Sequence, residues 1–340
     1  LPFRPPKRDG DMPWDEAIDR HRHHLAGERA ARKEPWREDE LEGELARAVA
    51  RLIALQAPHL DLLDEGGLGA ETPVRGLARL LRGVELEAAV RERREWIAEA
   101  EPPRLVSDPA LTHDRVLRLR WERAQAATAK PVKLTVMGPR SFAGALDDTV
   151  HGLDVDAGAR AVAEALNPGL RQLAEGGCPA IELVEPALVA AAPAATAAGF
   201  EAVAQALHKV PRETARWLRL VPADAREPWL GSPPPSLRLE TIAAILADLP
   251  IDGIVLERAT ALDGAGVIER SPRLRVAVLA VPAEAAEPAV VDAAAQALAR
   301  LDAVMEPGRL IAAVDGGGAS ARAPLARRLA WLGEAVRAVA

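Results

Sequence analysis

From Lys130 onward, short apolar runs of β character alternate with alanine-rich amphipathic stretches. The runs are Val132–Val136, Ala180–Val184, Trp217–Val221, Gly253–Leu256, Leu274–Leu279 and Leu310–Val314. Between them, apolar positions recur at helical spacing near 157–175, 199–208, 238–248, 287–301 and 319–339. Strand-like runs separated by helices predict a parallel sheet with right-handed crossovers. Leu60-Asp61-Leu62-Leu63 reads as an earlier strand and Leu1-Pro2-Phe3 as the tail of another, which would complete eight. The predicted architecture is therefore α/β, a single-domain (β/α)8 TIM barrel. A doubly wound open sheet is the alternative, but no Gly-x-Gly-x-x-Gly turn opens a helix after a strand.

The first hundred residues are more charged. Residues 14–57 predict long polar helices packed on the barrel, with Trp14, Ile18, Leu25, Leu41, Leu45, Val49, Leu52 and Ile53 as buried positions. Residues 222–237 gather prolines, Gly231 and two serines into a long loop after the third of the six runs. No internal repeat or linker divides the chain, so one domain over 1–340 is expected. The chain begins at Leu1 rather than Met, and a short preceding segment is expected.

Composition narrows the function classes. Hydrophobic residues make up 49% of the chain, and the net charge is -7 without a basic stripe interleaved with aromatics. That argues against nucleic acid as a partner. Cys178 is the only cysteine, which excludes an intramolecular disulfide and a thiolate-rich metal site and suggests a reducing, cytoplasmic setting. The apolar run around Leu188–Phe200 is interrupted by Pro193, Thr196 and Gly199, so no membrane span is expected, and no signal peptide is visible. His21, His23 and His24 fit a solvated helix face, and Cys178 a buried small apolar residue.

In a barrel of this kind the loops after the strands converge on one mouth. The residues there are Gly138-Pro139-Arg140-Ser141, Glu185-Pro186, Val221-Pro222-Ala223-Asp224, Glu257-Arg258 and Asp315-Gly316-Gly317. Glu185, Glu257 and Asp315 thus predict three carboxylates at a common mouth, with Gly138, Arg140 and Ser141 as candidate substrate contacts. Gly316-Gly317-Gly318 is either a tight turn or a place where a helix N-terminus receives an anion.

These segments, taken in order, resemble the cobalamin-independent methionine synthase family, within the larger group that includes uroporphyrinogen decarboxylase. Lys133-Leu134-Thr135-Val136-Met137-Gly138-Pro139-Arg140-Ser141 is similar to the family's K-x-T-x-x-G-P-x-S/T. The stretch from Gly177-Cys178 through Ile181-Glu182-Leu183-Val184-Glu185-Pro186-Ala187-Leu188 is similar to its G-C-x-x-I-Q-x-D-E-P-A-L. Ile251-Asp252 through Glu257 resembles its V-D-x-x-x-x-E, and Val314-Asp315-Gly316-Gly317 its P-D-C-G. Upstream, Gln56 with Leu60 to Gly67 resembles Q-x-x-G-x-D-x-x-x-D-G-E, and Leu1-Pro2-Phe3-Arg4-Pro5 its G-S-x-P-R-P opening.

The resemblance implies methyl transfer to a thiol, with zinc held by His, Cys, Glu and Cys and lowering the pKa of homocysteine. Carried over position by position, only the glutamate persists, as Glu257. Arg219 stands at the histidine, Val221 at the first cysteine and Gly316 at the second. Asp224 ends the segment that matches H-x-C-x-G-N. Val184 and Gly67 replace acids the family uses near its substrate. Two expectations follow. One is a divergent methyltransferase; the other is a catalytically silent barrel that needs no cofactor and binds a small acidic or folate-like ligand or a protein partner. In either, Arg219 is expected to offset the charge of Glu257. Oligomeric state is left open by the sequence.

Overall fold

A computed structural model describes residues 38–65, 73–85, 102–147, 152–190, 193–221, 239–269, 271–282, 289–314 and 325–339. In chain order the elements are α1 (Glu38–Gln56), β1 (Leu63–Asp64), α2 (Pro73–Ala78), β2 (Leu81–Glu85), β3 (Arg104–Leu111), α3 (Val116–Gln125) and β4 (Val132–Met137). Next come α4 (Pro139–Gly144), α5 (Val155–Glu175), β5 (Ala180–Val184), α6 (Pro186–Ala190), α7 (Pro193–Ala206) and β6 (Ala215–Leu220). The remainder are α8 (Leu239–Asp248), β7 (Gly253–Glu257), α9 (Arg258–Asp263), α10 (Ala265–Glu269), β8 (Arg275–Val281), α11 (Val290–Asp302), β9 (Leu310–Val314) and α12 (Leu325–Val339).

Seven of the strands form one parallel sheet in the order β1-β4-β5-β6-β7-β8-β9. Spatial order follows chain order without reversal, so there is no topological switch point and the doubly wound alternative is excluded. The sheet curls, and α12 packs on α1 at its far end. A closed eight-stranded barrel is not formed among the described residues; the expected eighth strand, at Leu1-Pro2-Phe3, lies outside them.

Residue alternation sets the two faces of the sheet. Leu134, Val136, Ile181, Leu183, Leu218, Leu220, Ile254, Leu256, Val276 and Val278 turn outward into one cluster with the helices. Ala180, Trp217, Val221, Val255, Ala277 and Leu279 form a second cluster on the inner face. A sheet buried on both sides reads as continuous apolar runs, which is why the strands were visible in the sequence.

The N-terminal prediction is met in part. Helix α1 places Val49, Leu52 and Ile53 in the core, as expected, while the other predicted positions have no described side chains. Beyond α1, the β2–β3 hairpin is antiparallel and separate from the main sheet. Its pattern is hidden by a bulge at Gly83, where φ is +81° and a Cβ would lie 2.6 Å from the Asp108 carbonyl oxygen. Pro109 inside β3 hides it further.

Strand β1 is shorter than the predicted 60–63 run, and side chains complete it. Leu63 N–H bonds the Pro131 carbonyl on the β4 side. On the opposite edge the Gln56 amide pairs with Asp64, donating to its carbonyl and accepting from its N–H, both at 2.9 Å. Gln56 is thus doing at that position what a neighbouring strand would do. Gln56→Ala leaves both backbone groups without that partner and should cost about 2 kcal/mol in a urea denaturation experiment. A cost below about 0.5 kcal/mol would mean solvent replaces the amide.

Candidate functional site

Glu185, expected to face the mouth, is fully buried. Its carboxylate accepts from the Arg140 N–H at 2.9 Å, the Ser141 N–H at 2.8 Å and the Ser141 hydroxyl at 2.6 Å. The Ser141 oxygen in turn accepts from the Ala187 N–H at 3.0 Å, so one carboxylate ties the starts of α4 and α6 together. Gly138 lets this happen, since a Cβ there would lie 2.3 Å from Glu185 Cδ. Burial pushes the Glu185 pKa up to about 7, against the hydrogen bonds and the Arg140 charge that favour ionisation. The Gly-Pro-x-Ser and Glu-Pro segments are therefore two halves of a structural clasp.

Arg140, the third candidate in this group, leans away from Glu185 with its guanidinium. Its Nε lies 3.3 Å from Asp156 Oδ1 at the start of α5, and its stem packs over Gly199 of α7. Glu257 sits exposed at the end of β7, where its backbone caps α9 without a side-chain capping bond. Asp224, Asp315 and Gly316 lie outside the described residues.

Arg219 meets a carboxylate that the sequence did not predict as its partner. Its Nε lies 2.6 Å from Glu182 Oε1, on the neighbouring strand β5. Arg219 is opposite Val184 on one side and Val255 on the other, so Glu182 is one of its diagonal inner-face neighbours. The contact continues across the sheet. Lys133 Nζ lies 2.5 Å from Glu182 Oε2 and 2.7 Å from Asp64 Oδ2, and Thr135 Oγ1 donates to the same Asp64 oxygen at 2.5 Å.

The result is a ladder of alternating charge, Asp64–Lys133–Glu182–Arg219, along the inner face of β1, β4, β5 and β6. Side-chain exposure is 27% at Asp64, 13% at Lys133, 3% at Glu182 and 21% at Arg219, so the ladder is sealed at its centre and opens at its ends. Burial raises the Glu182 carboxyl, but Arg219 and Lys133 outweigh it and hold the pKa below the ordinary glutamate value. Burial likewise works to lower Lys133, yet Asp64 and Glu182 hold it above the ordinary lysine value. A lysine kept protonated in this way is not available as a Schiff-base nucleophile.

Sequence reasoning missed the ladder. Lys133 and Glu182 were visible only as polar letters inside apolar strands, which is itself the signal for an inward-facing charge with a partner. Asp252, prominent in the motif at β7, has a structural role. It takes Arg216 through Nε at 2.9 Å and Nη2 at 3.0 Å, and accepts the Arg216 N–H at 2.8 Å. Cys178 is buried, as expected, with its thiol pushed up to about 11 by burial.

Of the positions that the resemblance would give to zinc ligands, Arg219 is paired with Glu182, Val221 is a buried apolar side chain, Glu257 is an exposed carboxylate, and Gly316 lies outside the described residues. Among the described residues no three His, Cys, Asp or Glu side chains gather into a group that could hold a metal. Among them also, no helix is long and apolar enough to cross a membrane.

No family model matches the chain, and no curated protein matches it by sequence. Solved structures do. A B12-independent methionine synthase from Shewanella sp., solved in complex with selenomethionine, superposes with a TM-score of 0.70 at 19% identity, over 88% of each chain. A Listeria monocytogenes protein assigned as a vitamin-B12-independent methionine synthase gives 0.62 at 13% identity, over 95% of this chain and 93% of that one. A methyltransferase from Methanosarcina mazei gives 0.57 at 15% identity, over 97% and 92%. The curled parallel sheet, its helices and their order along almost the whole chain are thus those of the B12-independent methionine synthases and related methyltransferases.

Proposed function

We propose that this chain is a divergent protein of the methionine synthase fold that binds a small acidic ligand at the strand ends and does not activate a thiol with zinc. One observation carries the reading: Arg219, at the position the resemblance gives to a metal-binding histidine, is committed to Glu182 within a buried ion ladder. A guanidinium cannot ligate a metal, and its fixed charge repels one. A guanidinium carries five N–H donors and can serve more than one carboxylate, which is the ground for an acidic ligand. Methyl or group transfer to a thiol, as in proteins of this fold, is the second reading and requires ligands from outside the described residues.

The experiment is elemental analysis of tag-free protein and of Glu257→Ala, with thermal-shift titrations using glutamate, a dicarboxylate and a folate polyglutamate. Substoichiometric zinc in both proteins, with a melting temperature raised by one of the acids, is the expected result. Near-stoichiometric zinc that disappears in Glu257→Ala would overturn it and restore the methyltransferase.

A further inference from the structure

The centre of the ladder has the form of a cage around a cation. Lys133 Nζ is held by Asp64 Oδ2 at 2.7 Å and Glu182 Oε2 at 2.5 Å, with Thr135 Oγ1 at 3.2 Å. The donors come from β1, β4 and β5, and the apolar cluster on the inner face continues beside them. Hard oxygen donors converging in this way are what a divalent ion takes when no ammonium is present. Glu182 spends its other oxygen on Arg219, so two carboxylates are balanced by two side-chain cations.

We infer that Lys133 and Arg219 are the resident cations of this fold: they neutralise Asp64 and Glu182 from within, so the inner face holds its charge balance without any metal. The inference rests on the ladder alone and stands whatever binds at the strand ends. It has a specific consequence for Lys133. Withdrawing its ammonium leaves one buried and one half-buried carboxylate and a hydroxyl around a vacated cation position. A small cation supplied from solution should then fill it and restore what the side chain provided.

Thermal unfolding of the parent protein, of Glu257→Ala and of Lys133→Ala tests this, each with chelator and with millimolar Mg2+, Mn2+ or ethylammonium. The parent should be insensitive to chelator and to every added cation. Lys133→Ala should melt about 5–10 °C lower and regain at least half of that with Mn2+, Mg2+ or ethylammonium, and Lys133→Ala/Glu182→Gln should lose the rescue. A Glu257→Ala protein that melts lower in chelator would overturn the inference, since mouth zinc is then not the cause, and this arm decides the matter if Lys133→Ala does not fold. A folded Lys133→Ala that no cation stabilises, or that melts with the parent, would overturn it equally. Zinc bound at the mouth would show in the Glu257→Ala comparison without altering the rescue, so the two proposals fail separately.

Discussion

Glu182→Ala should lower stability by about 3–5 kcal/mol, the largest single effect expected in this protein. The substitution removes the carboxylate that pairs with both Lys133 and Arg219, leaving two cations close together on the inner face. Most of the loss is the cost of the unpaired charges rather than the worth of the ion pairs. A ladder replaced whole should therefore fare better than one broken at its centre. Asp64→Asn, Lys133→Met, Glu182→Leu and Arg219→Met together are expected to recover most of the stability in urea denaturation. A loss below about 1 kcal/mol in Glu182→Ala would mean that water reaches the cations and the ladder is not sealed.

The ladder also has a pH signature. The folded pKa of Glu182 lies below its ordinary value of 4.5, so its contribution is present above that value and is lost as pH falls through the folded pKa. Lys133 has the opposite arrangement. Its folded pKa is above the ordinary 10.5, so its contribution is complete below that value and is lost as pH rises through the folded pKa. Between these limits Glu182 and Lys133 are both charged and their joint contribution should be flat with pH.

Glu185→Ala should cost about 3–4 kcal/mol, because three converging donors lose one acceptor in a site sealed from water. Here the pH dependence runs against that of Glu182. The folded carboxyl holds its proton up to about pH 7 while the unfolded chain releases it near 4.5. In that window the native state binds more protons, so stability falls as pH rises, by about 3 kcal/mol across it, and is level above it. Chemical denaturation between pH 4.5 and 8 should show the decline in the parent protein and none in Glu185→Gln. A flat profile in the parent would mean that the three hydrogen bonds outweigh burial and keep Glu185 ionised. Gly138→Ala attacks the same clasp sterically, since its Cβ would meet the Glu185 side chain.

The two clusters differ in how far the sequence announced them. Gly138, Ser141 and Glu185 stood out as residues just past strands, and they do meet. They meet as a buried clasp between loops, whereas strand-end position alone suggested a mouth lined with acids. Glu257 is at its predicted strand end and exposed, which is as much as the strand pattern can specify. The hairpin of β2 and β3 left no periodic trace, because a bulge and a proline break the alternation on which such a reading depends.

What the sequence determined by itself is the succession of strands and helices from Lys130 onward and the parallel sheet. Those follow from local periodicity and residue type, which need no knowledge of distant contacts. Tertiary structure alone decided the partner of Arg219, the burial of Glu185 and the existence of the ladder. Lys133 and Glu182 are 49 residues apart, and Glu182 and Arg219 are 37. A residue's period tells which face of its strand it occupies. Only the register and curl of the sheet tell which charges on that face come within reach of one another, and at buried positions it is that reach which sets the energy.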